Sequence, residues 1–245
     1  MIPKIIHQIW IQINSNTIPV EWINAQKSII QNNPEYQYIL WKDDDIHDFM
    51  RTYYPEFYQM YVSYKYKIQQ IDAFRYFVLY HYGGIYIDLD IGCKCSLDKY
   101  LENDLVLAKS INVSKTLTNS VMMASPQHPF MYKCIRNLED YQNSYEYFGK
   151  HLHVMNSTGP FYLQNQMNES DLQYSIIPES DFKGDCSVCN VQKCVGGNVF
   201  YHVKGNSWHH TDSRVYNFIF CHLTIGKLSF LVFLILTLFY FKRFR

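Results

Sequence analysis

Gly83-Gly84-Ile85-Tyr86-Ile87-Asp88-Leu89-Asp90 constrains this chain more than any other stretch. It reads as a glycine-paired turn, then a strand, then two acids at spacing two. Side chains along a strand alternate faces. Ile85, Ile87 and Leu89 are therefore expected to point into a core, and Tyr86, Asp88 and Asp90 the other way. Two carboxylates then stand together at the carboxyl end of a buried strand, where open α/β sheets bind ligands. Such a pair repels itself unless a positive charge joins it. A divalent cation carrying a diphosphate suits it, because hard cations take oxygen ligands and share them with phosphates.

The rest of the chain supplies the strands and helices around that motif. Ile5 to Trp10 reads as a buried first strand. Pro19 to Ile30 carries Trp22, Ile23, Ile29 and Ile30 at helical spacing and stops at Asn32-Asn33-Pro34. Tyr36 to Trp41 alternates as a second strand. Asp43, Asp44 and Asp45 suit the start of a helix continuing through Ile46, Phe49 and Met50. Ile68 to Tyr82 is a further helix, capped by Gly83. Asp104–Ala108 and Ser120–Ala124 read as strands, and Pro129–Leu138 as a helix. Strands alternating with helices predict an α/β domain with a mostly parallel sheet. No internal repeat is present.

Lys plus Arg and Asp plus Glu both number 22. A formal charge of zero gives no electrostatic case for a nucleic-acid partner. Cys186-x-x-Cys189 followed by Cys194 admits three readings: a zinc site completed by His202, loop disulfides, or free thiols.

Asp72 and Arg75 lie three residues apart on the helix before the glycine pair and share a face. They sit among Ala73, Phe74, Tyr76, Phe77 and Val78, where an incidental surface ion pair is out of place. Arginine's rigid fork of donors suits phosphate and sugar oxygens. Near the other end, His202-Val203-Lys204-Gly205-Asn206-Ser207-Trp208-His209-His210 groups possible metal, phosphate and stacking residues around a glycine.

Four ordered blocks spanning residues 2 to 210 resemble one known family. They are Ile2-Pro3-Lys4-Ile5-Ile6-His7-Gln8-Ile9-Trp10; Asp72-Ala73-Phe74-Arg75-Tyr76 running on to Asp90; Asn119–Ser125 with His128-Pro129-Phe130 and Thr158-Gly159-Pro160; and Gly205-Asn206-Ser207-Trp208-His209. The chain resembles the DXD-containing glycosyltransferases that include the inositol phosphorylceramide mannosyltransferases. The resemblance implies a GT-A type nucleotide-sugar-binding domain and a retaining hexosyl transfer. Asp88 and Asp90 would hold Mn²⁺ or Mg²⁺, with His209 completing the metal shell. Asp72 and Arg75 would grip the donor sugar, Trp10 would stack on the nucleobase, and Gly84, Ser207 and Trp208 would line the donor site. GDP-mannose is the favoured donor, and a lipid or glycan the acceptor. The Cys186–Cys194 loop has no place in the family pattern. No residue identifies itself as a catalytic base.

Other classes explain less. A glycosidase needs carboxylates flanking a bond from two directions. An aspartyl phosphatase shares only the Asp-x-Asp, and a carbohydrate-binding module without activity has no need of both acids. The predicted organisation is a catalytic domain over 1–215, a transmembrane helix over 219–241, nearly all apolar from Leu223 to Phe241, and a basic tail over 242–245. No signal peptide is read at the N-terminus. The expected location is an ER- or Golgi-type membrane through a single-pass C-terminal helix. Its orientation stays open: the basic end favours a cytosolic C-terminus, while sequons at Asn112, Asn156 and Asn168 suit a lumenal domain.

Overall fold

The computed structural model describes residues 1–12, 17–110, 116–186, 189–190, 193–205 and 211–222. The chain divides into a compact unit, Met1–Trp208, and a second unit from His209 onward. In the first unit the elements run β1 (Ile5–Trp10), α1 (Val20–Asn32), β2 (Gln37–Lys42), α2 (Asp43–Tyr53), α3 (Pro55–Ser63), α4 (Lys67–Tyr82), β3 (Gly84–Ile87) and β4 (Ile91–Cys93). They continue with β5 (Leu105–Lys109), β6 (Leu117–Ala124), α5 (Pro129–Arg136), α6 (Leu138–Tyr141), α7 (Lys150–Ser157), α8 (Pro160–Asn168), β7 (Ser175–Ile176), α9 (Glu179–Phe182) and β8 (Phe200–His202). The second unit contributes α10 (Thr211–His222).

The main sheet has the order β2-β1-β3-β6-β5-β7. β1 pairs in parallel with both β2 and β3, and β5 with β7, while β6 runs against β3 and β5. Five of six strands thus point one way. β4 and β8 form a separate antiparallel pair. The sheet is buried on both faces because its side chains alternate between two cores. Ile6, Ile85, Ile87, Val121 and Met123 pack on one side, with Ile29, Leu97 and Phe200. Tyr86, Leu105, Leu107 and Met122 pack on the other, with Phe74 and Phe77 of α4. α4 is accordingly buried all round from Ile68 to Leu79, so it shows no amphipathic stripe.

This topology sets the position of the site. From β1 the chain crosses to β2 on one side and returns to β3 on the other, making a switch point of the kind where open α/β sheets bind ligands. The parallel pairing brings the end of β1 at Trp10 and the end of β3 at Ile87, just before Asp88, to the same sheet edge. Gly84 fixes how close the two strands lie. Its φ is +94°, and a β-carbon there would meet the Ile5 carbonyl oxygen at 2.5 Å, so only glycine fits.

His7 ties β1 to the same turn. The Trp41 indole N–H donates to Nδ1 at 3.1 Å, which leaves Nε2–H to donate to the Gly83 carbonyl at 3.0 Å. Only the neutral ring makes both bonds, and burial pushes its pKa down to about 4. The sign follows: the unfolded state takes the proton first, so stability is full above about pH 6.5 and falls as pH drops toward 4, by about 3 kcal/mol from this group. Urea midpoints measured from pH 7.5 to 4.5 should fall more steeply in the wild type than in His7→Gln.

The expected transmembrane helix does not stand. Among the described residues no helix is long and apolar enough to cross a membrane. α10 has 12 residues, about 18 Å at 1.5 Å each, against a hydrocarbon core of about 30 Å, and it carries Asp212 and Arg214. The remainder of the expected span and the basic tail, 223–245, lies outside the described residues. The localisation built on that helix is corrected with it.

The cysteine readings narrow to one. Cys186 and Cys194 form a disulfide, so their thiolates are not available to zinc. The half-buried His202 donates its Nε2–H to the Phe182 carbonyl at 3.3 Å.

Candidate active site

The strand carrying the acids ends sooner than simple alternation predicts. β3 stops at Ile87, and Asp88 to Ile91 form a turn closed by the Ile91 N–H on the Asp88 carbonyl at 3.0 Å. Asp88 and Asp90 are therefore brought together by a turn at the strand end, not by one strand face. β4 then starts at Ile91 and pairs with β8, which carries the chain back over the acids.

Asp72, Arg75 and Asp88 form one ion network. Arg75 Nη2 lies 3.1 Å from Asp72 Oδ1 and 3.0 Å from Asp88 Oδ1, and Nη1 donates to the Asn119 carbonyl at 2.9 Å. The Asp72 and Arg75 side chains are each only 6% exposed, whereas Asp88 is 25% exposed. α4 is buried all round at this level, which explains why the pair is desolvated. Burial, only partly offset by Arg75, pushes the Asp72 carboxyl up to about 6. Thr158 Oγ1 also donates to Asp72 Oδ2, at 3.4 Å, and the Tyr76 hydroxyl donates to the Thr158 carbonyl at 2.7 Å. The Thr158-Gly159-Pro160 block is thus docked against the Asp72–Arg75 helix.

Burial and the neighbouring Asp88 charge push the Asp90 carboxyl up to about 7, and burial raises Asp88 despite Arg75. One guanidinium shared among these carboxylates leaves negative charge unbalanced. A hard oxygen donor set with surplus negative charge, still reachable from solvent at Asp88, fits a divalent cation.

The segment after β8 covers Asp90. The Val203 N–H donates to the Asp90 carbonyl at 2.9 Å. A β-carbon built on Gly205 would fall inside the Asp90 carboxylate. The Trp22 indole N–H donates to the Lys204 carbonyl at 2.8 Å, and Trp22 meets Trp10 edge to face at 6.1 Å between centroids. Gly205→Ala must therefore displace either the carboxylate or the segment. We expect it to weaken Mn²⁺ binding about tenfold while changing the melting temperature by only a few degrees, as read by metal titration and calorimetry.

Of the residues chosen from sequence, Trp10, Asp72, Arg75, Asp88 and Asp90 converge on this edge. Gly84 stands at the opposite end of β3, where it sets strand spacing. Ser207, Trp208 and His209 lie outside the described residues. Sequence reasoning passed over four contributors. The Tyr86 hydroxyl donates to Asp88 Oδ1 at 2.6 Å, and period-two spacing does place Tyr86 beside Asp88. Gln8 Nε2 donates to the Asp88 carbonyl at 3.3 Å. Trp22 reaches the site only through tertiary contacts, which no local pattern signals, and Thr158 belongs to a block that the family resemblance marks without assigning it a role.

Together the fold and site define an α/β domain with a cluster of buried and half-buried carboxylates around Arg75 at its switch point. A family model described as a glycosyltransferase sugar-binding region containing a DXD motif matches residues 19–107. The chain is 36% identical to inositol phosphoceramide mannosyltransferase 3 of Schizosaccharomyces pombe, over 98% of this chain and 65% of that protein. It is 33% identical to inositol phosphoceramide mannosyltransferase 2 of the same yeast, over 99% of this chain and 69% of that protein. The PaToxG glycosyltransferase shares the fold, with a TM-score of 0.53 at 18% identity over 69% of each chain. The chain belongs to the DXD-containing glycosyltransferase family. It spans about two thirds of the length of these two yeast relatives.

Proposed function

We propose that this chain is a metal-dependent, retaining glycosyltransferase that moves a hexose from a nucleotide sugar to a lipid or glycan acceptor. Mannose from GDP-mannose is the favoured donor group. The convergence of Asp72, Arg75, Asp88 and Asp90 beside Trp10, under the segment 203–205, carries this reading. The names of the yeast relatives support mannose as the sugar and inositol phosphoceramide as the acceptor.

Asp88 and Asp90 would hold Mn²⁺ or Mg²⁺, whose Lewis acidity, when bound, stabilises a departing nucleoside diphosphate. Trp10 would give a stacking face to the nucleobase, with Trp22 packed against it at a right angle. The Asp72 carboxylate would accept from sugar hydroxyls. Arg75 holds Asp72 and Asp88 in register and balances part of their charge. The segment 203–205, held over Asp90, would limit the access of water to the diphosphate.

The test is hydrolysis and transfer with a panel of GDP-mannose, UDP-glucose, UDP-galactose and UDP-N-acetylglucosamine, with Mn²⁺ or with EDTA. GDP-mannose should turn over fastest, EDTA should abolish turnover, and proton NMR should show the α-anomer released first. If no donor in the panel supports metal-dependent turnover, the reading falls.

A further inference from the structure

Asp88 does not present two equivalent oxygens. Its Oδ1 accepts from the Tyr86 hydroxyl at 2.6 Å and from Arg75 Nη2 at 3.0 Å. Both donors are themselves fixed. Tyr86 is 1% exposed and sits in the core under α4. Arg75 is pinned on Asp72 and on the Asn119 carbonyl, and its guanidinium lies 4.8 Å from the Tyr86 ring centroid. The ring therefore supports the arginine from below while its hydroxyl shares the arginine's carboxylate oxygen. A carboxylate with one oxygen doubly occupied cannot rotate without breaking two charge-assisted bonds.

We propose that Tyr86 is a positioning residue for the metal site: with Arg75 it claims Asp88 Oδ1 and leaves Oδ2 as the one oxygen offered to a divalent cation. Asp88 then ligates through a single oxygen of fixed direction. The inference rests on the reading of Asp88 as a metal ligand, and adds a residue that touches neither metal nor substrate. An outer partner of this kind typically contributes 10–100-fold in metal affinity.

The experiment is a titration of the protein with Mn²⁺ alone, followed by the electron paramagnetic resonance signal of free Mn²⁺. Tyr86→Phe keeps the ring beneath Arg75 and removes only the hydroxyl. Its Kd for Mn²⁺ should rise about tenfold, with Asp88 now free to turn. Tyr61→Phe is the control, since the Tyr61 hydroxyl is buried without a hydrogen-bond partner; its Kd should match the wild type. A folded Tyr86→Phe protein that binds Mn²⁺ within twofold of the wild type overturns the proposal.

A second variant serves if Tyr86→Phe fails to fold. Asp88→Asn retains one carbonyl oxygen, but Tyr86 and Arg75 both donate, so they should claim that oxygen and turn the amide NH₂ toward the cation. Asp88→Asn should then bind Mn²⁺ no better than Asp88→Ala. Recovery of binding in Asp88→Asn above the alanine variant overturns the assignment of Oδ1. Failure of the wild type itself to bind Mn²⁺ removes the metal reading and this inference together, whereas unchanged binding in Tyr86→Phe removes only the latter.

Discussion

Asp90→Ala is expected to lower metal-dependent transfer by roughly a thousandfold and to leave the protein folded. On the metal-dependent reading proposed above, the rate effect follows from removing a ligand of a Lewis acid that would stabilise the transition state by several kcal/mol, at about 1.36 kcal/mol per decade. The intact fold follows from the electrostatics. Burial and Asp88 hold the Asp90 carboxyl up near about 7, so in the metal-free protein this charge is poorly accommodated and its loss relieves repulsion. Asp88→Ala should abolish transfer equally and also cost stability, because Asp88 is one of the two carboxylates that hold Arg75. Initial rates with saturating Mn²⁺, paired with melting curves in EDTA, separate the two variants. An Asp90→Ala protein with more than a tenth of wild-type transfer would contradict the site.

Arg75→Met should be the most destabilising single change at the site. Methionine matches much of the volume but leaves Asp72 and Asp88 facing each other without their shared cation. Removing one partner of a buried ion pair costs about 3–5 kcal/mol, because a charge remains without compensation. For a chain of this size that lowers the melting temperature by roughly 10 °C. The loss should be smaller at pH 5 than at pH 8, since carboxylates deprived of the guanidinium take up protons more readily. Scanning calorimetry at the two pH values reads this directly. Equal melting temperatures for wild type and variant at pH 8 would show that the network carries no net weight. Arg75→Lys should recover charge but not the arrangement. An ammonium cannot span Asp72, Asp88 and the Asn119 carbonyl with the fixed fork that Arg75 uses.

Much of this site can be read in the sequence because its parts are local. Asp88 and Asp90 are two residues apart, Asp72 and Arg75 three apart on one helix, and the glycine pair marks the turn between the two groups. Gly84 is legible as a residue but not in its role: chain order cannot reveal that its hydrogen faces the Ile5 carbonyl. The spacing of the two acids suggested one strand face, yet the strand ends at Ile87 and a turn gathers them. Strand ends depend on where a neighbour stops pairing, and β1 pairs with β3 only at Ile6 and His7.

The membrane helix shows the opposite case. A long apolar run satisfies a length and composition rule, but among the described residues no helix is long and apolar enough to cross a membrane, and the 12-residue α10 ends at His222, before that run begins. The cysteine cluster was undecided for a related reason. Spacing lists candidate ligands, whereas a disulfide depends on where the loop from Phe182 to Phe200 folds back.

The sequence by itself determined which chemistry-bearing residues exist, that Asp72 and Arg75 share a helix, that the two acids follow the glycine-paired turn and its strand, and that the sheet would be largely parallel. Backbone periodicity and turn preferences act over a few residues, so a linear reading captures them. Only the tertiary structure decided that Arg75 bridges Asp72 to Asp88, that Tyr86 shares its carboxylate, and that Gly205 and Trp22 bring a segment more than a hundred residues away onto Asp90. Those contacts join positions whose separation along the chain carries no periodic signal. They form because burying both faces of one sheet fixes the strand order, and the strand order brings the ends of β1 and β3 to a common edge.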